Sequence, residues 1–176
     1  MTKEEFIQQI NESGIVMMNM PEKVALIENG EISANDIFQI VIANQLPESY
    51  LASWILNHYV DNHPDAIKDN LDKLIAILPE IKRTGFVRLA LRLIMITATW
   101  ETENLGLLFD FCLRQIESTT VPTGVKTNAM AIIDRIAENE PGIREEVVLV
   151  VEEQLPYLST GGINRAKKLL KKYKNL

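Results

Sequence analysis

The chain is 176 residues long, 47% hydrophobic and 24% charged, the profile of an ordinary globular protein of about one domain. A single cysteine, Cys112, excludes an internal disulfide, and its apolar neighbours in "LLFDFCLRQI" read as core, not as the setting of a nucleophile. Net charge is −6 overall, but residues 1–160 carry 12 basic and 24 acidic groups while residues 161–176 carry six basic and no acidic ones, so the body of the chain repels duplex phosphates.

The first twenty residues, "MTKEEFIQQINESGIVMMNM", start acidic and hold no long apolar run, unlike a signal peptide. The longest apolar-rich stretch, "FVRLALRLIMITATW", carries two arginines and is too short to span a bilayer. The expectation is a soluble cytoplasmic protein with no membrane partner. Helices are predicted near residues 2–17, near 21–29 with Pro21 at the first turn, and near 34–45 with Ser33 as cap. Residues 1–47 then form an N-terminal cap. "YLASWILNHYV" places Leu51, Trp54, Ile55 and His58 on one helical face, and "IKDNLDKLIAIL" places Ile67, Leu71, Leu74, Ile75 and Leu78 opposite Lys68, Asp69, Asp72 and Lys73. "FVRLALRLIMI" is apolar nearly all round except for Arg88 and Arg92, as suits a helix covered on both sides. "VKTNAMAIIDRIAEN" and "IREEVVLVVEEQL" form a further pair, the second helical despite its β-branched residues. Prolines and glycines punctuate the intervals, and nothing alternates with period 2.

A repeat underlies these elements. "TGFVRLALRLI", "TGVKTNAMAII" and "GGINRAKKLL" open alike, with Gly85, Gly124 and Gly162 at intervals of 39 and 38 residues. An apolar residue follows each glycine (Phe86, Val125, Ile163), and a small alanine follows at Ala90, Ala129 and Ala166. A weaker copy, "SYLASWILNHY", begins at Ser49. Two helices per 36–39 residues is the signature of a helical-hairpin solenoid. Over roughly residues 48–176 the pattern resembles HEAT/armadillo-type repeats. The cluster "ASWIL", "LDKLIAIL" and "GFVRLAL" also resembles a group of small bacterial helical-repeat proteins sometimes labelled adenylosuccinate lyase. The resemblance implies an all-α, right-handed α-α superhelix of about ten helices in a single domain over 1–176. Residues 48–160 would be repeats and 161–176 a basic C-terminal capping helix.

The candidate sites divide by chemistry. Both histidines, His58 and His63, sit in "WILNHYVDNHPDAI" near Asp61 and Asp65. Aligning Pro64 with Pro141 matches Asp61–Asn62 to Glu138–Asn139, so the stretch reads as the turn inside a repeat, its asparagine suited to a left-handed helix end and its proline to the next helix start. The histidine spacing fits no zinc pattern. The acidic pairs Glu145–Glu146, Glu152–Glu153 and Glu101–Glu103 read as solvated helix faces, and Trp54 and Trp100 as core. The Gly161–Gly162 pair lacks the strand of a phosphate loop, so no cofactor is expected. Of the lyase signature only Met20, Pro21 and Lys23 are present, without the paired serines. Arg88 and Arg92, four apart on an apolar helix, suit either an internal ion pair or a partner groove. Lys167, Lys168, Lys171, Lys172 and Lys174, with Arg165, surround the apolar face Ile163, Ala166, Leu170 and Tyr173, as a cap or as a basic patch.

The function these features imply is a non-enzymatic protein-interaction or scaffold module with another protein as partner and possible contacts at the arginines and lysines just named. Nucleic-acid binding through the basic terminal helix is the alternative, and a lyase-type enzyme the third reading. Pathway and oligomeric state carry no signal.

Overall fold

A computed structural model describes residues 1–97 and 102–174. The described residues form ten α-helices and four short 3-10 turns, with no strand, so the fold is all-α. The chain divides into two compact units, Met1–Thr102 and Glu103–Leu176.

The first unit holds α1 (Lys3–Met17), α2 (Met20–Glu28), α3 (Ala34–Ile42), α4 (Glu48–Val60), α5 (Leu71–Ile77) and α6 (Thr84–Ile96). Local chemistry sets the starts of the first three. Thr2 and Glu5 make a reciprocal capping box on α1, Asn19 caps α2, and Ser33 accepts from the Asp36 amide at 3.0 Å on α3. The expected helix over 2–17 is broken at Gly14, whose φ of +57° leaves the helical path. Val16 and Met17 beyond it are 91% and 80% exposed. The expected helix over 67–78 is a 3-10 turn at Lys68–Asn70, then α5, then a 3-10 turn at Leu78–Glu80. Asn70 leaves the helical path at φ −117° while its side chain reaches Asn35.

The helix α4 is central. Tyr50, Leu51, Ala52, Ile55, Leu56 and Val60 are buried, and so are its polar residues Ser49, Ser53 and Asn57. It lies against α1, α2, α3 and α6. The predicted apolar face is therefore split: Leu51 and Ile55 point into the core, but Trp54 is half-buried and His58 exposed. On α6 the near-continuous apolar surface is covered as expected, with Phe86, Ala90, Leu91, Leu93 and Ile94 each fully buried. Each such aliphatic or aromatic side chain contributes about 1.5–3 kcal/mol.

The second unit holds α7 (Leu105–Glu117), α8 (Thr123–Asn139), α9 (Arg144–Gln154) and α10 (Thr160–Tyr173). α8 lies against α7, α9 and α10. Ala129 and Ala166 have no exposed surface, so neighbouring elements leave no room for larger side chains. Cys112 is wholly buried, and burial pushes its thiol far above the ordinary range, as fits an inert core residue.

Candidate functional site: a cation–aromatic ladder between α4 and α6

Two helices build the site. Residues four apart on a helix lie one above another, so Tyr50, Trp54 and His58 form one row along α4. The rings of Tyr50 and Trp54 meet edge to face at 6.4 Å, and those of Trp54 and His58 lie near-parallel at 6.4 Å. A row of cations from α6 and its cap lies over this row. The Arg83 guanidinium sits 3.7 Å from the Tyr50 ring centre, and that of Arg88 sits 5.4 Å from the Trp54 ring centre, both within cation–π range. The rungs advance in the same order on both helices, so α4 and α6 run in the same direction.

The repeat glycine makes this approach possible. A Cβ on Gly85 would stand 3.3 Å from the Tyr50 ring, so the bare backbone of α6 gives the ring its seat. Asn57 fixes the middle of the ladder. It is 3% exposed, and its side-chain amide donates to Ser53 O at 2.8 Å and to Leu89 O at 3.2 Å, clipping α4 to α6. Its Oδ1 accepts from Arg92 Nη1 at 3.1 Å, and Arg92 Nη2 donates to Asp61 Oδ1 at 2.7 Å. Arg92 thus forms an internal ion pair, while Arg88 faces outward. Trp54, Asn57, His58, Asp61, Arg88, Leu89 and Arg92 enclose a concave cleft of about 220 Å³. Trp54 is therefore a wall of the cleft, not core.

The two histidines part company. His58 belongs to the ladder, whereas His63 Nε2 meets the Glu28 carboxylate on α2 at 2.9 Å, the carboxylate oxygen accepting, and its ring stacks on Tyr59 at 4.3 Å. Burial and the Glu28 charge raise the Tyr59 phenol above its ordinary range. The turn carries no left-handed asparagine: Asp61 caps α4 in the right-handed region, and Asn44 is the only non-glycine residue with positive φ among the described residues. Pro64 opens a loose turn, not a helix. Among the described residues no three His, Cys, Asp or Glu side chains converge as a metal site. Met20, Pro21 and Lys23 open α2, where the buried Lys23 ammonium donates to Gln9 at 3.1 Å; they form a helix start stitched to α1.

In the second unit the basic terminal helix is partly spoken for. Lys172 pairs with Asp134 at 2.8 Å and with Glu138, and Lys174 pairs with Glu152. The Tyr173 hydroxyl donates to Asp134 O at 3.0 Å. Desolvation opposes the Lys172 charge, but hydrogen bonds with Asp134, Glu138 and Tyr173 outweigh it and hold the ammonium above the ordinary lysine range. Lys167, Lys168 and Lys171 remain exposed, with no ion pair among the described residues. A cleft of about 480 Å³ lies beside Pro141, Arg144, Glu145, Val148, Tyr173 and Lys174. Its cations are committed, since Arg144 donates to the terminal α8 carbonyls of Ala137 and Glu138 at 2.8 and 3.1 Å. Glu145, Glu146 and Glu153 lie on the exposed face of α9. Trp100 and Glu101 fall outside the described residues.

Sequence reasoning singled out Arg88 and Arg92 but missed Arg83 and Tyr50. The available signal was the i, i+4, i+8 spacing of Tyr50, Trp54 and His58 opposite cations one repeat later.

A family description, "HEAT repeat domain", matches residues 3–173. No curated protein matches the chain. No solved structure matches it either. No helix among the described residues is long and apolar enough to cross a membrane.

Proposed function

Because the chain belongs to the HEAT repeat domain family, whose repeats generally mediate protein–protein interaction or scaffolding and which is typically non-enzymatic, we propose that it is a non-enzymatic interaction module whose partner-binding face is the α4/α6 ladder. The observation that carries this reading is the cleft at which the half-buried Trp54 meets the exposed His58 and Arg88, on two helices whose apolar residues are buried. Trp54, His58 and Arg88 stand on backbone held by Asn57 and by fully buried neighbours, so they lose little freedom on binding. Tryptophan and arginine are also the residue types that dominate binding energy at protein interfaces.

The test is affinity capture from cells with the wild-type chain and with the Trp54→Ala/Arg88→Glu double variant, both checked for equal helix content and melting. Specific partners recovered with wild type and lost with the variant support the reading. An identical set of partners from both would overturn it.

The exposed trio Lys167, Lys168 and Lys171 on α10 favours a second reading, in which the terminal helix binds a nucleic acid. Charge reversal of the three would then abolish a salt-sensitive complex with an oligonucleotide. Unchanged or absent oligonucleotide binding leaves α10 a cap.

A further inference from the structure

The second unit, residues 103–176, carries ten acidic and ten basic side chains, so it is neutral as a whole. Its two signs are nevertheless sorted onto neighbouring helices. α9 holds four glutamates against one arginine, and α10 holds five cations and no acid. Some of these charges are already matched within the unit: Lys172 pairs with Asp134 and Glu138, and Lys174 with Glu152. Left over are Glu145, Glu146 and Glu153 on α9 and Lys167, Lys168 and Lys171 on α10, all exposed and in no ion pair among the described residues.

Each set lies along one face of its helix, since residues three or four apart are neighbours there. The acidic stripe also holds an apolar residue. Leu149 is 61% exposed between the carboxylates, and Tyr157, just past the end of α9, is 71% exposed. Among the described residues these are the large apolar side chains that the second unit leaves exposed. α9 lies on α7 and α8, and α10 on α8, so both stripes face away from those helices.

α9 and α10 pack on each other across a short connection, as an antiparallel hairpin. The Arg144 guanidinium lies 5.3 Å from the Tyr173 ring centre, so the start of α9 stands beside the end of α10. A twofold axis parallel to both helices, laid over this face and between them, sets α9 of one copy on α10 of the other, and α10 on α9. Such a rotation keeps each residue's height along the helices. At about 1.5 Å per residue, Glu145, Glu146 and Lys171 all lie within about 3 Å of the Arg144–Tyr173 level. Lys167 lies about 9 Å and Glu153 about 13.5 Å beyond it in the same direction. A flexible lysine stem spans that difference.

We propose that this face of α9 and α10 binds a second copy of the chain as an isologous dimer, in which Glu145 and Glu146 meet Lys171 of the other copy, Glu153 meets Lys167 and Lys168, and Leu149 is covered between them. Every contact then occurs twice. The face is complementary to itself and to no uniform polyanion. Phosphates of a nucleic acid seated on the three lysines would run beside Glu145, Glu146 and Glu153 and be repelled. The proposal is independent of the α4/α6 reading, which concerns the other unit.

Sedimentation equilibrium of the full chain at about 50 and about 300 mM salt tests this, because exposed charge contacts are screened at the higher value. One variant reverses α10 (Lys167→Glu, Lys168→Glu, Lys171→Glu) and a second reverses α9 (Glu145→Lys, Glu146→Lys, Glu153→Lys), with helix content verified by circular dichroism. Wild type should form a closed dimer whose dissociation constant rises roughly tenfold between the two salts. Each reversal alone opposes like charges in both halves of the contact and should be monomeric. Mixed one to one, the two reversals restore opposite charges at every pair and should form a heterodimer within about fivefold of the wild-type affinity. The single change Leu149→Lys, which sets a cation against the lysines of the other copy, should weaken the wild-type dimer about tenfold. A wild type that stays monomeric at about 0.2 mM protein and 50 mM salt, a reversal that still dimerises, or a mixture that stays monomeric would each overturn the proposal. So would association that runs past the dimer into longer species, or a twelve-residue oligothymidine that binds the three lysines and dissociates the dimer.

Discussion

Lys126 offers a direct measurement of what the second unit tolerates. Its side chain is 4% exposed on α8, and among the described residues its ammonium has one hydrogen-bond partner, Gln154 Oε1 at 3.3 Å. Burial lowers its pKa below the ordinary lysine value. Replacement by methionine keeps the length and apolar stem and removes the amine. Burying an under-compensated polar group costs about 1–3 kcal/mol, while the hydrogen bond to Gln154 returns about 1 kcal/mol. Lys126→Met should therefore stabilise this unit by roughly 1–2 kcal/mol, and Lys126→Met/Gln154→Leu by somewhat more, since Gln154 is itself only 8% exposed. The pH dependence has a fixed sign. A lysine whose folded pKa is depressed carries its full penalty below that value and loses it as pH rises to the unfolded value of about 10.4. The wild type should gain stability across that interval and close the gap to the variant. Urea unfolding by circular dichroism, with amide exchange resolved over residues 123–154, reads the effect. A variant destabilised by more than 1 kcal/mol, or a gap unchanged up to pH 10.5, would refute the claim that the Lys126 ammonium is under-compensated where it is buried.

Ala129 has no exposed surface, so Ala129→Leu should overpack α8 against its neighbours and cost about 1–3 kcal/mol in urea unfolding. Lys172→Met should cost up to about 1 kcal/mol at pH 7, because its ion pairs with Asp134 and Glu138 are part-exposed; its folded pKa is raised, so that loss should shrink above about pH 10.5 as the wild type sheds the proton. His58→Arg should leave stability within about 0.5 kcal/mol, as an exposed surface change. His63→Glu should weaken the turn by up to about 1 kcal/mol, because it sets a second carboxylate against Glu28 where the ring now makes a 2.9 Å contact; thermal melts of the two single variants separate the effects.

Helix existence was legible because each repeat announces itself by glycine, apolar residue and alanine. The reasons for those residues were not. Gly85 is bare because the Tyr50 ring lies 3.3 Å from where its Cβ would be, and Gly162 because Leu158 and Thr123 crowd it at 3.2 and 3.5 Å. Tyr50 and Thr123 each lie in the preceding repeat, far from these glycines in sequence. The break at Gly14 and the 3-10 turns around α5 escaped the periodicity because apolar spacing continues through them. Asn57, polar within an apolar helix, gave no sign of bridging two backbones, since its second acceptor is Leu89, 32 residues on.

The ion pairs failed to show for a related reason, and it bears on function. Arg92 meets Asp61 across 31 residues, and Lys172 meets Asp134 across 38. Each pair joins the first helix of one repeat to the first helix of the next, so charge summed by segment conceals charge cancelled between repeats. The basic terminal helix thus spends Lys172 and Lys174 on carboxylates of its own unit, and the +6 read from the sequence overstates what it presents to a partner. Within the first unit, too, Arg92 is drawn inward by Asp61 and Asn57, so one of the two arginines that the sequence set on the apolar helix α6 is already matched by a carboxylate of the preceding repeat.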